Sequence, residues 1–413
     1  HTASLAGEDA IYDGVFKQFG VYRAETTEEM ADIAYVCQFG RYPSGPKIGL
    51  QTISGGIGVQ LADAATKYGF DVTPLPKNTQ DKILNLIPFA GVNNPIDFTG
   101  QVLNERRLLE ESMRHVIDEA DYDSQILYLA SLPISQFTKD ISLEIFTSLR
   151  KQYPSELMIL SLIGPPEARA SYEALGYPCF EDHSLAVRAM AALRYFGEVF
   201  KKEETASPTA MGEKPVLTKG QRISEFDAKK IFSTAGLPIT LETLAQTSDE
   251  AIGFWKKIKK PVVLKISSPD LQHKTDIGGV ILDLDDERDI QESFDKLSKL
   301  GKANSIKNDI EGIIVSEMVD NGVETVLGVV NDPVFGPTVM FGLGGVFVEV
   351  LKDVSFRVAP FDVKEAHMMI DEIRGRAILG GVRGAPPSDI EALAESLSQL
   401  SVSYTHLTLP TKA

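Results

Sequence analysis

The chain has 413 residues, of which 43% are apolar and 24% are charged, and its formal net charge is −17. At about 150 residues per domain, this length predicts two or three domains, and the apolar content excludes an intrinsically disordered chain. The acidic charge argues against a nucleic-acid partner, because contacts to phosphate backbones require clustered lysine and arginine.

Hydropathy and cysteine content indicate the compartment. No run of about 18 apolar residues occurs, so no bilayer-spanning segment is predicted. The two cysteines, Cys37 and Cys179, lie far apart and lack the spacing of a zinc-binding pair. Such sparse cysteine is typical of a reducing compartment. The composition therefore predicts a cytoplasmic protein without a membrane partner.

Both ends of the sequence differ from its middle. The chain begins at His1 without an initiator methionine or a signal-peptide core, so we expect it to be a fragment. Residues 401–413 depart from the helical pattern that extends from Pro387 to Leu400. They resemble read-through into a sequencing adapter, and we expect this segment to be non-native.

The first half of the sequence alternates between short apolar runs and amphipathic stretches. In residues 44–200, runs such as 47–53 and 125–130 are followed by stretches with helical periodicity. This alternation is typical of parallel βαβ units and predicts a doubly wound α/β domain. Residues 1–43 contain two further helical patterns and are predicted to be the C-terminal tail of a preceding domain.

The sequence pattern changes after residue 200. Residues 201–220 are polar, contain two prolines and lack apolar periodicity, so they are predicted to be a linker. In residues 221–400, apolar runs follow one another with few helical patterns between them, which predicts a distinct α+β domain. The predicted strands are 261–266, 279–284, 312–319, 325–330 and 338–341.

A glycine-rich loop lies between a predicted strand and a predicted helix. It contains Ser54, Gly55, Gly56 and Gly58. Glycine lets the backbone approach a ligand, and the N–H groups at a helix start favour an anion. Leu61 stands at the third glycine position of the dinucleotide motif, so that motif is not matched. An ordinary tight strand-to-helix turn explains the loop equally well.

Two polar features follow the predicted strand 261–266. Lys265 lies near the end of this apolar strand, where an ammonium group can pair with phosphate. Burying that group without a partner would be costly, which favours a functional role. The loop beyond it contains His273. A lone loop histidine is more often simply solvated than catalytic.

Carboxylates and glycines mark the following strands. Glu317 lies near the end of one predicted strand and Glu324 at the start of the next, and carboxylates at such positions can hold ribose hydroxyls or a lysine. Gly344 and Gly345 can bring main-chain N–H groups to a phosphate. Each feature alone has an explanation as a turn or an edge charge. Together with Lys265 they outline a nucleotide site.

These segments resemble a known enzyme family. KISSPDLQHKTDIGGV, SEMV and ETVLGVVNDPVFGPTVMFGLGGVFVEVLKD resemble the ATP-grasp module of the ADP-forming acyl-CoA synthetases, also called acetate–CoA ligases (ADP-forming). PSGPKIGLQTISGGIGVQLADAA resembles the flavodoxin-like, succinyl-CoA synthetase-like domain that precedes this module in fused members. HTASLAG resembles the family's phosphohistidine segment. The resemblance covers essentially residues 1–400.

The resemblance implies a reaction and its catalytic residues. ATP, a carboxylic acid and CoA would give acyl-CoA, ADP and phosphate through enzyme-bound phosphohistidine. His1 matches the histidine that takes phosphate from an acyl phosphate, and His273 matches the histidine that relays phosphate at the ATP-grasp site. Imidazole is nucleophilic near neutral pH, which suits both roles.

The resemblance also assigns binding residues. Lys265 matches the lysine that contacts nucleotide phosphates, and Glu324 matches the ribose carboxylate. Glu317, Met318 and Val319 match the hinge around the adenine. The loop from Ser54 to Gly58 matches the helix start that faces the phosphohistidine. A helix N-terminus stabilises such an anion. We therefore prefer a phosphohistidine-binding role for this loop over that of an ordinary turn.

The chain also departs from the family pattern. The CoA-binding domain and the acyl-phosphate pocket are expected upstream of His1. The segment that contains the family's Mg²⁺ ligands is expected near residue 401, so the metal ligands of this chain stay unknown. Ala3 stands where glycine is usual. We therefore expect an incomplete ATP-grasp domain that binds ATP weakly and is inactive by itself.

Two other functions were compared with the ligase. A protein lysine acetyltransferase built on the same scaffold would have a regulatory role, but such proteins commonly lack the phosphohistidine that His1 matches. An FMN-binding flavodoxin-like module would explain only residues 46–200. The ligase is therefore preferred, with small-molecule partners (ATP, a carboxylic acid and CoA), Mg²⁺ as cofactor and a homo-oligomer as an open possibility.

Overall fold

A computed structural model describes residues 2–103, 105–202, 223–269, 271, 274–304, 310–319, 322–382 and 384–406. His1 and His273 lie outside the described residues, as does most of the predicted linker. The chain forms two compact units. The central unit is Gly20–Glu204, and the C-terminal unit combines His1–Phe19 with Thr205–Ala413.

The elements of the first half alternate between helices and strands, and all of them except the first helix belong to the central unit. In chain order they are α1 (Thr2–Gln18), α2 (Thr27–Cys37), β1 (Ile48–Thr52), α3 (Gly55–Lys67), α4 (Lys77–Leu86), β2 (Ile96–Asp97), a 3₁₀ turn (Gly100–Leu103), α5 (Arg106–Glu119), β3 (Ser124–Ala130), α6 (Lys139–Gln152), β4 (Met158–Leu162), α7 (Pro166–Glu173), β5 (Cys179–Phe180) and α8 (His183–Phe200).

The central unit is built on one parallel sheet. Its strand order is β2-β1-β3-β4-β5, and every neighbouring pair is parallel. Along β3, Leu127 and Leu129 contribute to one apolar core, whereas Ile126 and Tyr128 contribute to the other. A strand that is buried on both faces is typical of a sheet covered by helices on both sides. The predicted doubly wound α/β domain is confirmed.

The C-terminal unit continues with a mixture of strands and helices. They are α9 (Glu225–Thr234), β6 (Glu242–Ala245), α10 (Ser248–Ile258), β7 (Val262–Ser267), β8 (Val280–Leu284), α11 (Glu287–Asn304), β9 (Gly312–Glu317), β10 (Thr325–Asp332), β11 (Gly336–Leu343), α12 (Val346–Glu349), β12 (Val354–Val358), α13 (Val363–Glu372), α14 (Arg376–Leu379) and α15 (Ile390–His406).

Two antiparallel sheets organise this unit. The first sheet has the strand order β6-β9-β7-β8, and the second has the order β10-β11-β12. Helices α10 and α11 pack on one face of the first sheet, for example through Ala251 and Phe294. Helices α13 and α15 pack on the second sheet, for example through Met369 and Leu397. The arrangement agrees with the predicted α+β class, although β6 and β12 were not predicted.

The last helix is longer than its sequence pattern predicts. It does not end at Leu400 but continues to His406. Serine and threonine are weak helix formers, which explains the predicted end. Ser401 and Val402 are nevertheless buried, and the Ser401 Oγ accepts a hydrogen bond from the Phe361 N–H at 3.1 Å. Tertiary packing therefore overrides the local preference.

Helix α1 packs on the edge strand of the second sheet. The Gln18 side chain donates from Nε2 to the Val358 carbonyl at 2.9 Å and accepts the Val358 N–H at 2.7 Å. It thereby satisfies backbone groups of an edge strand. Ile11 and Val15 form an apolar cluster with Phe356. Although one domain tail was predicted for residues 1–43, α1 packs in the C-terminal unit and α2 in the central unit.

None of the helices in the described ranges has both the length and the apolar character that crossing a membrane requires.

A substitution at Gly14 tests the packing of α1. A Cβ atom at this position would lie 2.3 Å from the Phe356 carbonyl oxygen. We expect Gly14→Ala to lower the free energy of unfolding of the C-terminal unit by about 1–3 kcal/mol, as overpacking does. Urea denaturation followed by circular dichroism measures the change.

The matched control is Gly253→Ala in α10, where no atom lies within 4 Å of the added Cβ. Because alanine favours helix over glycine, this variant is expected to keep or raise the stability. Equal effects of the two substitutions would contradict the packing of α1 on β12.

Candidate functional site

Lys265 lies on the open face of the first sheet. Side chains alternate between the two faces of a strand. Along β7, Val262, Leu264 and Ile266 belong to the core under α10 and α11. Lys265 therefore points to the other face, and its side chain is 27% exposed. Its neighbour across the strand pair is Val280 of β8.

The ammonium group of Lys265 meets a carboxylate from α9. Ser224 caps this helix by accepting the Asp227 N–H, so Glu225 is the first helical residue. The Glu225 Oε1 lies 3.2 Å from the Lys265 Nζ, and its Oε2 accepts from the Lys274 Nζ at 2.8 Å. One carboxylate thus bridges two lysines from different segments.

A second layer of charges lies behind this bridge. The Lys229 Nζ lies 3.2 Å from the Glu225 Oε1 and donates to the Glu242 Oε2 at 2.7 Å. The Glu242 side chain is only 3% exposed. Burial lowers the pKa of the Lys229 ammonium, but the two carboxylates outweigh burial and raise the pKa above 10.5. Three ammonium groups and two carboxylates leave this five-residue cluster with one net positive charge.

The charge state of Glu225 follows from its surroundings. Burial alone would raise the pKa of this carboxyl above its ordinary value of 4.5. The hydrogen bond from Lys274 and the positive charges of the three lysines outweigh burial and lower the pKa to about 2. Glu225 is therefore an anion throughout the neutral range.

Lys265 and Lys274 open into a cleft of about 780 Å³, which we term the lysine cleft. Its residues are Ile223, Glu225, Lys265, Ser268, Pro269, Leu271, Lys274, Thr275, Asp276, Val280 and Leu282. Its lining includes the ammonium groups of Lys265 and Lys274, the carboxylates of Glu225 and Asp276, hydroxyls and apolar side chains. Lysine donors in a partly apolar cleft suit an anionic ligand such as a phosphate group.

The predicted hinge residues lie at the end of β9. The Glu317 Oε2 accepts from the Lys260 Nζ at 2.9 Å, and its Oε1 accepts the Leu241 N–H at 3.2 Å. The Lys260 hydrogen bond, followed by that from Leu241, lowers the pKa of the Glu317 carboxyl. The Met318 N–H donates to the Pro261 carbonyl at 2.8 Å, whereas the Val319 side chain is 64% exposed. This chain segment is thus fixed beside β7.

Glu324 and the glycine turn lie together at one end of the second sheet. The Gly344 N–H donates to the Glu324 carbonyl at 2.7 Å. A Cβ at Gly344 would lie 2.9 Å from the Glu324 Cβ, so a larger residue would push the two segments apart. Gly345 has a φ of +60°, which glycine adopts without strain. The Glu324 side chain is exposed.

The glycine loop of the central unit forms the start of α3. Ser54 is the N-cap residue, and its N–H is bound by the Thr52 hydroxyl at 3.0 Å. A Cβ at Gly58 would lie 3.3 Å from both Thr52 and Pro95, so this glycine permits close helix packing. Around Gly56 no atom lies within 4 Å of such a Cβ. The first turn of the helix is therefore open on one side.

The predicted site residues of the C-terminal unit form three local groups: Lys265 in the lysine cleft, Glu317 to Val319, and Glu324 with the glycine turn. Lys265 and Glu317 are on paired strands, where Glu317 faces Val262, three residues before Lys265. At about 3.4 Å per residue this separates them by roughly 10 Å along the sheet. No cluster of three or more His, Cys, Asp or Glu that could hold a metal ion occurs among the residues described. Mg²⁺ stays a prediction from the resemblance.

Comparisons with known proteins bear on these features. The family model described as ATP-grasp domain matches residues 216–408, and the model described as succinyl-CoA ligase like flavodoxin domain matches residues 1–37. The β subunit of acetate–CoA ligase (ADP-forming) I from Pyrococcus furiosus is 43% identical over 41% of this chain and 74% of the subunit. The chain belongs to the family of ADP-forming acetate–CoA ligases. This confirms the family resemblance.

Fused relatives match almost the whole chain. Acetate–CoA ligase (ADP-forming) I from Archaeoglobus fulgidus is 33% identical over 97% of this chain and 58% of its own length. The chain thus spans less than two thirds of the length of this fused relative.

A solved structure of acetyl-coenzyme A synthetase 1 from Ca. Korarchaeum cryptofilum, in complex with coenzyme A and Ca-AMPCP, is 44% identical over 44% of this chain and 80% of its own, with a TM-score of 0.42.

Sequence reasoning missed the residues around Lys265. Lys274 stands next to His273 in a quoted motif but was given no role. Glu225 and Lys229 are four residues apart, a spacing that also occurs on ordinary solvated helix surfaces. Glu242 lies in a strand that was not predicted. The four-residue spacing of Glu225 and Lys229 indicates that they share one helix face. Only the structure shows that this face lies beside Lys265.

The lowered pKa of Glu225 predicts a pH-dependent contribution to stability. Its ionised form contributes stability above about pH 4.5, and this contribution is lost as the pH falls from 4.5 toward 2. We therefore expect Glu225→Gln to lower the free energy of unfolding at pH 7, and by less as the pH falls below 4.5. Urea denaturation of both proteins between pH 7 and pH 3 measures the difference.

Glu292→Gln is the control, because Glu292 pairs with Arg288 on the surface and both side chains are mostly exposed. We expect it to change the free energy of unfolding little. A difference between wild type and Glu225→Gln that stays constant across this pH range would contradict the assigned charge state.

Proposed function

We propose that this chain is part of an enzyme that joins a carboxylic acid to CoA with ATP, forming acyl-CoA, ADP and phosphate through phosphohistidine. The observation that carries the proposal is the pair of ammonium groups, Lys265 and Lys274, that opens into the lysine cleft. The family of the chain supports the same reaction class.

In this proposal, the C-terminal unit binds ATP. Lys265 and Lys274 neutralise the phosphates, since phosphoryl transfer depends mainly on charge neutralisation and alignment. The Gly345 N–H adds to the phosphate contacts, whereas Gly344, whose N–H is bound by the Glu324 carbonyl, lets the two segments approach closely. The exposed Glu324 carboxylate accepts from the ribose hydroxyls. The segment Glu317–Val319 borders the adenine. Mg²⁺, when bound, would add to the neutralisation of the phosphate charge.

The phosphoryl group would move between histidines. His273 attacks the γ-phosphorus of ATP, so that a P–N bond forms while the bond to the ADP oxygen breaks. His1 then receives the group and passes it to a substrate carboxylate, which gives an acyl phosphate. The CoA sulfur attacks the acyl carbon, so that a C–S bond forms while the bond from that carbon to the phosphate oxygen breaks. The thiol proton leaves with the released phosphate. Both histidines are assigned from the resemblance, and each regains its neutral ring at the end of the cycle.

The start of α3 would stabilise the phosphorylated form of His1. A helix N-terminus attracts an anion through its dipole and its N–H groups. Gly55 and Gly56 belong to the first turn of this helix, and the space around Gly56 leaves room for a ligand. This supports a role for Ser54, Gly55, Gly56 and Gly58 beyond that of a tight turn.

Phosphohistidine formation is tested on the full-length gene product. We expect incubation with γ-labelled ATP to give a phosphoprotein that is labile in acid and stable in base. Replacing both His1 and His273 by alanine is expected to abolish the label, whereas the wild type retains it. Absence of label in the wild type, or label that survives in the double variant, would overturn the mechanism.

The role of Lys265 is tested on the 413-residue chain. Lys265→Met is expected to weaken ATP binding at least about tenfold, because charge-assisted contacts to phosphate are lost. Lys256→Met is the control, since Lys256 lies in α10 and pairs with Glu287 on the surface. Isothermal titration calorimetry measures both. Equal affinities of the two variants would exclude Lys265 as a phosphate ligand.

A further inference from the structure

We propose that Glu225 is a positioning residue for the nucleotide phosphates, which holds the ammonium groups of Lys265 and Lys274 in place before the nucleotide arrives. The inference rests on the proposed function, because it takes the lysine cleft as the phosphate site. It adds a residue that none of the sequence motifs contains.

The geometry of the carboxylate carries the inference. The Glu225 Oε1 lies 3.2 Å from the Lys265 Nζ, and the Oε2 lies 2.8 Å from the Lys274 Nζ. The Oε1 also lies 3.2 Å from the Lys229 Nζ. The three residues come from separate segments, since Glu225 begins α9, Lys265 lies in β7 and Lys274 lies in the connection from β7 to β8. Backbone hydrogen bonds from Gly279 to Lys274 and from Ile266 to Gly279 bring the two lysine segments together. The Glu225 side chain links the two ammonium groups themselves.

The cations need this link for an electrostatic reason. Two ammonium groups that both lie within about 3.2 Å of one carboxylate are close neighbours and repel each other. The Lys274 side chain is only 10% exposed, so water screens its charge poorly. Without an anion between them, Lys265 and Lys274 would move apart or into solvent. Glu225 lets both remain at the same cleft.

The bridge leaves the lysines able to bind phosphate. An ammonium group carries three N–H donors, and a hydrogen bond to Glu225 uses one of them. Lysine side chains are flexible, and ordering them during binding costs affinity. A carboxylate that orders them beforehand removes part of that cost. The gain belongs to ligands with phosphate groups and not to a nucleoside.

Lys229 and Glu242 hold the carboxylate itself. The Lys229 ammonium binds Glu225 on one side and the almost fully buried Glu242 on the other. Glu225 is therefore fixed from behind and neutralised by three cations, so its charge does not dominate the cleft. Lys229 and Glu242 balance each other, so Lys265, Lys274 and Glu225 leave one positive charge at the bridge. The Asp276 carboxylate lines the same cleft, so the selectivity for phosphate rests on the placement of the two ammonium groups.

The test compares ligands with and without phosphates on the 413-residue chain. Binding of ATP, ADP and adenosine is measured by saturation-transfer NMR, which suits weak ligands. We expect Glu225→Gln to weaken ATP and ADP binding about tenfold and to leave adenosine binding unchanged. The control Glu292→Gln, on the exposed surface of α11, is expected to leave all three affinities unchanged.

A second variant separates geometry from charge. Glu225→Asp keeps the charge that the cluster needs for folding but shortens the side chain by one methylene group, so it no longer reaches both lysines. We expect ATP binding to weaken in this variant too, by less than in Glu225→Gln. Wild-type affinity for ATP in Glu225→Asp would overturn the bridging geometry.

Other outcomes overturn the inference in distinguishable ways. Unchanged or tighter ATP binding in Glu225→Gln would show that the carboxylate does not position the lysines, while the proposed function stands. Equal losses for ATP and adenosine would show a structural role only. If the folded wild type binds adenosine but neither ATP nor ADP, the lysine cleft is not a phosphate site, and the proposed function fails together with this inference.

Discussion

Ammonium groups that leave water need a carboxylate beside them, and the C-terminal unit is arranged around this requirement. Lys265 lies in a strand whose other face is an apolar core, and Lys274 is almost buried. The Glu225 carboxylate compensates the positive charge of both lysines. Lys229, which also pairs with Glu242, holds Glu225 in place. Strand β7, helix α9 and the connection before β8 are thereby fixed to one another. Lys265 and Lys274 both line the cleft that these elements enclose.

Glycines in the two units serve several different structural purposes. At Gly14 and Gly58, the missing side chain permits close packing of a helix against its neighbours. At Gly344 it permits a strand end to approach Glu324, and at Gly345 it permits a left-handed backbone. At Gly56 the space beside the backbone is open. A glycine in a motif therefore indicates a ligand only after its neighbours are known.

Much of the fold followed from periodicity, and the exceptions have physical causes. Apolar runs predicted β1, β3 and β4 because a doubly covered strand must be apolar on both faces. Strand β6 was missed because Glu242 and Thr243 interrupt its apolar pattern. The end of α15 was missed because burial of Ser401 and Val402 outweighs their weak helix preference. Local patterns thus fail where tertiary contacts supply the free energy.

The sequence by itself determined the family, the α/β class of the central unit, and Lys265 as a candidate phosphate ligand. These rest on residue type and spacing along one segment, which the chain order preserves. Only the tertiary structure decided that Glu225 lies between Lys265 and Lys274, and that Lys229 and Glu242 stand behind it. Glu225 and Lys274 are 49 residues apart, and packing between distant segments sets which charges meet.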